Sequence, residues 1–280
     1  MGYNFENAVA VVTGAGSGIG RALALKLADK GAHLALSDIN KASLEETVKM
    51  IGKKVKVKSD VLDVTNRKAV FAYADDVAET FGKVNMIFNN AGAALNGEFD
   101  RTDLDKFDWQ MNVNFGGVLN GTKAFLPHLQ KAEWGHITNI SSLFGLIAVP
   151  GNTAYNASKF AVRGLTESLR NELKNEGSSV SCTSVHPGGV KTNIVRNAVS
   201  GRGNTFASGQ SHEQMIESFD NLARTTPEKA AETILKGTQK DKMRVLVGGD
   251  AIIIDKIQRL FPTGYFWVIT KVFGFGKELT

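Results

Sequence analysis

Residues 8–20 read AVAVVTGAGSGIG, five apolar residues followed by a turn in which half of the eight positions are glycine. An uninterrupted apolar run of this length is typical of a strand buried in a parallel sheet. Apolar residues at helical spacing follow the turn and end at Gly31. The stretch therefore predicts a strand, a tight glycine turn and a helix, in that order.

The glycines of this turn follow the spacing G-x-x-x-G-x-G, with Gly14, Gly18 and Gly20 at the glycine positions. Glycines between a strand and a helix let the backbone approach a pyrophosphate, which then lies on the positive N-terminal end of the helix. We therefore expect Gly14, Ser17, Gly18, Ile19 and Gly20 to bind a dinucleotide. The alternative is a turn whose glycines serve only tight packing.

The second predicted strand, residues 33–37, ends at Asp38. A carboxylate at this point can accept hydrogen bonds from both hydroxyls of an adenosine ribose, and it repels a 2′-phosphate. No Arg or Lys is present at Ser17 or Ile39 to receive such a phosphate. The sequence therefore predicts NAD(H) in preference to NADP(H), and an ordinary surface position for Asp38 is the alternative.

Strands and helices alternate along most of the chain. Further strands are predicted at residues 54–59, 85–88, 136–140, 180–185 and 245–247. This alternation predicts an α/β Rossmann-type fold: one doubly wound, parallel, seven-stranded sheet with helices on both faces, in a single domain. Ligands of such sheets bind at the carboxyl ends of the strands, where Asp63 and Asn90 also fall.

Composition excludes several classes of protein. The one cysteine, Cys182, lies in a predicted strand, which indicates a buried structural thiol and excludes an internal disulfide. The histidines show no metal-ligand spacing, so no metal site is expected. The net charge of +5 is modest, and no nucleic-acid partner is expected. We expect a cytoplasmic protein, because neither a secretory signal nor an apolar run of about 20 residues is present.

Tyr155 and Lys159 are four residues apart in a helical pattern, so their side chains share one helix face. An ammonium near a phenol stabilises the phenolate and lowers the pKa of the phenol. Ser142, thirteen residues before Tyr155, follows a predicted strand and could hold a substrate oxygen beside the phenol. The pattern predicts a proton-transfer site for an alcohol or a carbonyl, although tyrosine–lysine pairs at this spacing also occur on ordinary surfaces.

Together these features resemble the short-chain dehydrogenase/reductase family, in its short single-domain branch. The matching motifs occur in family order and cover roughly residues 7–250. They are the glycine turn at residues 13–20, Asp63-Val64, Asn89-Asn90-Ala91-Gly92, Asn114, Ser142, Tyr155 with Lys159, and Pro187-Gly188.

The resemblance implies a role for each matching residue. Tyr155 would be the general acid/base, Lys159 would lower its pKa and hold the nicotinamide ribose, and Ser142 would hydrogen-bond the substrate oxygen. Asn114 would support a water-linked proton path through Lys159, and Thr192 would bind the nicotinamide carboxamide. The further cofactor contacts implied are Asp63, Val64, Asn90, Ala91, Gly92, Tyr155, Pro187, Gly188 and Val190. The family usually assembles through the helices that carry Asn114 and Tyr155, so a homodimer or homotetramer is expected.

Two segments outside these motifs bear on the substrate. Residues 190–225 are polar and poor in regular pattern, which indicates a functional lid or mobile loop within the 1–250 dinucleotide-binding domain. Residues 251–280 carry two apolar, partly aromatic stretches together with basic residues, and we interpret them as an extension of that domain. They either pack over the core, the pocket or a subunit interface, or lie as helices on a membrane surface.

The predicted function is NAD(H)-dependent interconversion of an alcohol and a ketone or aldehyde, on a small hydrophobic molecule. The hint of a hydrophobic substrate comes from the apolar residues past position 250 and from the segment at 190–225. A catalytically silent cofactor-binding regulatory or scaffold protein is the alternative from another class. A peripheral membrane enzyme, with weak attachment through residues 251–280, is the third.

Overall fold

The computed structural model describes residues 2–200 and 211–273. The strands are β1 (Val9–Thr13), β2 (His33–Asp38), β3 (Val57–Val61), β4 (Met86–Asn89), β5 (Leu95–Asn96), β6 (Gly135–Ile140), β7 (Val180–Pro187), β8 (Val199–Ser200) and β9 (Arg244–Val247). The helices are α1 (Gly18–Asp29), α2 (Lys41–Ile51), α3 (Arg67–Phe81), α4 (Leu104–Met111), α5 (Gly117–Leu129), α6 (Thr153–Asn175), α7 (His212–Leu222), α8 (Pro227–Gln239), α9 (Gly249–Leu260) and α10 (Tyr265–Phe273).

Seven of these strands form one parallel sheet in the order β3-β2-β1-β4-β6-β7-β9. The order reverses between β1 and β4, and the crevice at such a reversal is the ligand site of doubly wound folds. This arrangement confirms the predicted Rossmann-type sheet in a single domain. It also places the ends of β1, β4 and β6 next to one another, where the predicted site residues follow.

Helices cover both faces of the sheet because successive strand residues point to opposite sides. In β2, Leu34 and Leu36 pack in a core cluster that includes Leu23 of α1 and Ile234 of α8. Ala35, between them, lies in a second cluster on the other face, which is formed largely by α3, α5 and α6. The two clusters hold the strand ends in place and thereby fix the geometry of the site.

The region predicted as one long helix, about residues 103–131, is interrupted. Helix α4 is followed by a π-helical turn at Asn112–Gly116, and α5 begins directly after that turn. A π-turn inserts one extra residue into the helix and occurs often at functional sites. Here it carries Asn114, whose side chain is fully buried. The interruption of the helix therefore positions a predicted site residue.

The expectation of an irregular segment at residues 190–225 is wrong in two places. β8 pairs in parallel with β5 to form a small second sheet, a contact between distant residues that local pattern does not reveal. Helix α7 begins at a capping box in which Ser211 and Gln214 satisfy each other's backbone N–H groups. Residues 201–210, within the predicted lid, lie outside the described residues, so the lid stays a prediction.

Helices α9 and α10 form the C-terminal segment and pack against each other. Ile254 and Ile269 are buried in a third apolar cluster with Leu143, Leu146 and Ile147, the residues that follow Ser142. The C-terminal segment therefore packs over the core, which is one of the alternatives expected from the sequence. Across the two described stretches of the chain, no helix has the length and apolar character needed to cross a membrane.

Candidate active site

The N-terminus of α1 is open to an anionic ligand. Ser17 occupies the cap position but its side chain makes no capping hydrogen bond. By contrast, the side chains of Asn40 and Asn66 accept hydrogen bonds from the first turns of α2 and α3. The first N–H groups of α1 therefore lack a side-chain partner and suit a phosphate group. This donor set fits the predicted dinucleotide.

The glycines of the turn allow close approach of three chain segments. A Cβ on Gly20 would lie 2.1 Å from the carbonyl oxygen of Gly14. A Cβ on Gly14, where φ is +65°, would lie 2.8 Å from the Cα of Ala91. Gly18 has φ of +53°, and its Cβ would meet the Thr192 methyl group at 3.1 Å. The structure thus brings Gly14, Gly18, Gly20, Ala91 and Thr192 together.

Asn90 holds the glycine turn in place. Its Nδ2 donates to the carbonyl oxygens of Thr13 at 3.0 Å and Gly14 at 3.2 Å. The Oγ1 of Thr13 accepts in return from the backbone N–H groups of Asn90 and Ala91, each at 3.0 Å. A cofactor contact of Asn90 stays a prediction. The sequence interpretation missed Thr13, which its position as the one polar residue ending an apolar strand could have indicated.

Asp38 is bound from two sides at the end of β2. Its Oδ2 accepts from the N–H of Gly16 and its Oδ1 from the N–H of Asn40, each at 2.8 Å. A carboxylate has about four acceptor positions, so capacity for ribose hydroxyls is left. The guanidinium of Arg21 lies at the same turn but binds the Gly16 carbonyl oxygen and, at 2.6 Å, Glu46. Its charge is therefore already paired.

Asp63 and Val64 follow β3 in a turn. Asp63 is exposed, and its Oδ1 accepts from the N–H and the hydroxyl of Thr65 at 2.9 and 2.8 Å. Val64 is buried, and its carbonyl oxygen accepts from Asn120 of α5 at 3.0 Å. These bonds explain how the turn is held. The contacts of both residues with a cofactor stay predictions.

Lys159 reaches the centre of the strand ends from α6. Only 4% of this residue is exposed, and its Nζ donates to the carbonyl oxygen of Ile140 at 3.1 Å. The Nζ lies 5.6 Å from the ring centroid of Tyr155. A Cβ on Gly92 would lie 3.5 Å from the same Nζ. The i, i+4 pair predicted from sequence is therefore one cluster with the end of β4.

The two serines after β6 have different roles. Ser141 is buried, and its hydroxyl donates to the carbonyl oxygen of Lys159 at 2.8 Å, which fixes α6 to the strand. Ser142 is partly exposed, and its Oγ accepts from the N–H of Phe144 at 3.1 Å. The carbonyl oxygen of Ser142 accepts from His186 Nδ1 at 2.8 Å. Ser142 is the serine that faces the Tyr155 phenol, and its contact with a substrate oxygen stays a prediction.

Asn114 is bound to the loop after Gly92. Its Oδ1 accepts from the N–H of Ala93 at 2.9 Å, and its Nδ2 donates to the Ala93 carbonyl oxygen at 3.1 Å and to Ser158 Oγ at 3.2 Å. These bonds fix the π-turn against both β4 and α6. The Ser158 contact was not predicted, since only the folded helix pair reveals it. The proton path through Lys159 stays a prediction.

The family of this chain is shown by its similarity to known proteins. A family profile described as short chain dehydrogenase matches residues 8–203, well over half of the chain. The chain belongs to the short-chain dehydrogenase family. It is an oxidoreductase of that family, and the resemblance inferred from the motifs is confirmed.

Individual members of the short-chain dehydrogenase family are similar over nearly the whole chain. A Mycobacterium tuberculosis H37Rv protein named "Putative oxidoreductase SadH" is 51% identical over 266 residues, covering 94% of each chain. A Burkholderia phymatum short chain dehydrogenase/reductase, solved in complex with NAD, is 31% identical with a TM-score of 0.84, covering 92% of this chain and 95% of its own. Levodione reductase is 26% identical with a TM-score of 0.77, covering 89% of this chain and 99% of its own.

The charges in this short-chain dehydrogenase site are set by burial. Desolvation raises the pKa of the Tyr155 phenol, and its hydrogen bond with Ser142 opposes the rise. Burial lowers the pKa of Lys159 to about 8. The expected lowering of the Tyr155 pKa by Lys159 is therefore not seen in this structure. The physical reason is that burial disfavours the charged form of each group.

Two residues of the C-terminal segment hold loops of the candidate site, and sequence reasoning missed both. Asp250 Oδ2 accepts from the N–H of Gly189 at 2.6 Å, which fixes the loop that leads from Gly188 to Thr192. Tyr265 Oη accepts from the N–H of Ala148 at 3.0 Å, in the loop after Ser142. In the sequence, Asp250 is an acid in the first turn of a helix and Tyr265 is a tyrosine in an apolar stretch, and neither pattern predicts a hydrogen bond to a distant loop.

The remaining predictions for this site concern Pro187, Val190, Cys182 and metal ions. Pro187 ends β7, and Val190 is buried and bridges to Thr225, so both support the loop leading to Thr192. Cys182 is fully buried, and burial raises its pKa to about 12, which confirms a structural thiol. In residues 2–200 and 211–273, no group of three or more metal-ligating side chains occurs.

Proposed function

We propose that the protein is an NAD(H)-dependent dehydrogenase/reductase that interconverts an alcohol and a ketone or aldehyde. One observation carries this proposal: Ser142, Tyr155, Lys159 and Asn114 converge beside Gly92 at the strand ends. The same edge holds the open N-terminus of α1. A proton-transfer group and a dinucleotide-binding turn at one edge are what hydride transfer to a carbonyl requires.

Each residue has a defined task in the proposed reaction. When bound, the nicotinamide donates or accepts the hydride. The raised pKa of Tyr155 keeps its phenol protonated at neutral pH, so it can donate a proton to a developing alkoxide. Ser142 holds the same oxygen beside the phenol. Lys159 supplies positive charge near that oxygen and holds the nicotinamide ribose, and Asn114 supports proton supply to Lys159.

For the cofactor, we propose NAD(H) rather than NADP(H). The Asp38 carboxylate at the end of β2 would repel a 2′-phosphate, and the Arg21 guanidinium, which could attract one, is paired with Glu46. The bound NAD in the Burkholderia phymatum relative supports this choice.

For the substrate, we propose an apolar molecule that carries one ketone, aldehyde or hydroxyl group. The partly exposed ring of Phe144 packs edge-on to Tyr155, with ring centroids 6.1 Å apart, and gives the phenol an apolar neighbour. Among the similar structures, the name levodione reductase supports reduction of a carbonyl group.

For assembly, we propose a homodimer or homotetramer through the helices around Asn114 and Tyr155. Trp109 of α4 and Phe160 of α6 are 37% and 40% exposed, and an interface over these helices would bury them. Light scattering on the purified chain should give a mass that is a multiple of the 30.2 kDa monomer.

The activity is tested by measuring NADH and NADPH oxidation with a panel of apolar ketones and aldehydes. We expect turnover with NADH that Tyr155→Phe lowers by about 10²–10⁴-fold, the usual contribution of a general acid. NADH affinity should stay within about twofold, because the lost hydroxyl faces the substrate. Tyr3→Phe is the matched control, since Tyr3 stacks on Trp134 with ring centroids 4.6 Å apart and lies outside the catalytic cluster.

Two results would contradict the proposal. Retention of the wild-type rate by Tyr155→Phe would exclude Tyr155 as the acid. NADH binding without turnover on the whole panel, in either direction, would favour the catalytically silent scaffold instead.

A further inference from the structure

Helices α9 and α10 and the turn between them expose six large apolar side chains. They are Ile252, Ile253, Leu260, Phe261, Phe266 and Trp267. Leu260 is 75% exposed and Trp267 63% exposed. Single exposed apolar residues are common, but a group of them on two adjoining helices marks a binding surface. We call these six residues the C-terminal apolar face.

The C-terminal apolar face is distinct from the side by which the same helices dock on the protein. Ala251, Ile254 and Ile269 are buried to 2% exposure or less in the cluster with Leu143 and Leu146. Each helix therefore has its own buried side. The exposed apolar residues are additional to this packing and contribute nothing to the described core.

The charges beside the C-terminal apolar face are positive. Lys256 and Lys271 are exposed, and neither forms an ion pair within residues 2–200 and 211–273. Lys271 Nζ lies 4.2 Å from the centre of the Trp267 ring. The one carboxylate of residues 251–273, Asp255, has a side chain only 7% exposed and pairs with Arg259 at 2.8 Å. Within residues 251–273, no exposed carboxylate therefore balances these two cations.

We propose that the C-terminal apolar face binds the surface of a membrane containing anionic phospholipids. Aromatic and aliphatic side chains beside lysines are the signature of helices that lie in the membrane interface. A protein partner fits less well, because lysine is depleted from the centres of protein interfaces. Helix α10 has nine residues, about half of what a membrane span needs, so it lies on the surface and does not cross.

The position of the face gives it a use in the proposed function. Tyr265 begins α10 and accepts from the N–H of Ala148, and Ile269 packs on the loop that follows Ser142. Membrane binding through this face would therefore hold the loop that follows Ser142 close to an apolar substrate dissolved in the membrane. This use rests on the proposed function, whereas membrane binding does not and is measured separately.

The test is co-sedimentation of the full chain with vesicles of phosphatidylglycerol and phosphatidylcholine, compared with phosphatidylcholine alone. We expect binding to the anionic vesicles that weakens with salt, together with a blue shift of tryptophan emission that Trp267→Ser removes. Lys256→Gln with Lys271→Gln should weaken binding about 25-fold, since each cation near an anionic surface is worth about fivefold. Trp267→Ser should weaken it about tenfold or more through lost apolar burial.

Matched controls locate the effect. Lys83→Gln with Lys131→Gln removes two exposed cations near the amino ends of the strands, beside Trp134. Phe99→Ser removes an aromatic ring that is 66% exposed, as much as Trp267. Both control variants should bind vesicles with an affinity within about twofold of the wild type, because the substituted side chains lie outside the C-terminal apolar face.

Three outcomes would overturn the proposal. They are no binding of the wild type to anionic vesicles at low salt, equal binding to neutral vesicles, and equal weakening by the control variants. Light scattering adds a fourth: a Trp267→Ser variant that falls to a lower oligomeric state would identify the face as a contact between copies. Because none of these measurements uses turnover, an inactive protein would not affect the result.

Discussion

The glycine turn at residues 13–20 and the C-terminal helices α9 and α10 both hold parts of the candidate active site, with very different contacts. In the turn, backbone atoms pack so closely that a Cβ on Gly20 would lie 2.1 Å from a carbonyl oxygen. In α9 and α10, two side chains, Asp250 and Tyr265, make the described hydrogen bonds to the catalytic loops.

This difference predicts how each region tolerates change. Where backbone packs against backbone, almost any added atom displaces the chain. Where a single side-chain bond holds a loop, its loss costs only the free energy of that bond. The turn should therefore be intolerant of substitution, whereas the C-terminal contacts should only adjust the positions of the loops that they bind. Of the following four substitutions, the first and the last test this contrast, and the two between them test the proposed roles of Lys159 and Asp38.

Gly20→Ala should give the largest change in cofactor binding. Its methyl group would overlap the Gly14 carbonyl oxygen and lie 2.5 Å from Asn90 Nδ2, so the turn must shift. We expect NADH affinity, measured by fluorescence titration, to fall about 30-fold or more, as overpacking costs about 2 kcal/mol or more. The control is Gly164→Ala in α6, where a Cβ meets nothing within 4 Å. Equal affinity in both variants would contradict the tight packing of the turn.

Lys159→Met should abolish turnover yet stabilise the fold at neutral pH. Burial lowers the pKa of Lys159 from 10.5 to about 8, so the folded state disfavours the ammonium. Below about pH 8 the buried ammonium therefore destabilises the wild-type fold to its full extent, and this destabilisation decreases as the pH rises toward 10.5. Allowing for the lost bond to Ile140, we expect a gain of about 1–3 kcal/mol at pH 7. Chemical denaturation at pH 7 and pH 10 measures the difference; a gain that grew with pH would contradict the assignment.

Asp38→Ser should change the preference between the two cofactors, and it should disturb the glycine turn less than Gly20→Ala does. The substitution removes the charge that repels a 2′-phosphate and one acceptor of the ribose hydroxyls. We expect the ratio of kcat/KM for NADH over NADPH to fall by about tenfold or more, since a hydrogen bond to a charged group contributes about 1.5–3 kcal/mol. Asp29→Ser, at an exposed carboxylate paired with Lys54, should leave the ratio unchanged. A wild-type preference for NADPH would contradict the role of Asp38.

Tyr265→Phe should give the smallest effect. It removes the hydroxyl that accepts from the N–H of Ala148 at 3.0 Å and donates to the Ala148 carbonyl oxygen at 3.4 Å, and it keeps the ring in its apolar cluster. We expect a loss of about 1 kcal/mol in the free energy of unfolding and a several-fold drop in kcat/KM for the carbonyl substrate. NADH affinity should not change, because the contact lies on the substrate side. A Tyr265→Phe variant as impaired in NADH binding as Gly20→Ala would remove the contrast between the two regions.

Much of the cofactor side could be predicted from sequence because its signals are local. The spacing of Gly14, Gly18 and Gly20, and an acid at the end of β2, depend on short stretches whose period and turn chemistry are visible in the chain. The Tyr155–Lys159 pair follows from helical spacing in the same way. The sheet itself followed from the regular alternation of strands and helices.

The misses have a common cause, which is contact between residues distant in the chain. The π-turn that carries Asn114 depends on Ala93 and Ser158, and the β5–β8 pair joins segments about a hundred residues apart. The pKa of Tyr155 depends on desolvation by the folded site, which no spacing reveals. None of these could be inferred from a local pattern.

The sequence by itself therefore determined the strand–turn–helix unit and the doubly wound sheet, and it predicted the members of the candidate catalytic cluster. Local geometry is enough for the strand–turn–helix unit, whose residues are a few positions apart, and the regular alternation of strands and helices is enough for the sheet. Only the tertiary structure decided that Thr13 and Asn90 lock the turn, and that Asp250 and Tyr265 hold the loops. It also decided which apolar residues of α9 and α10 are buried and which form the C-terminal apolar face, because burial is a property of the packed chain.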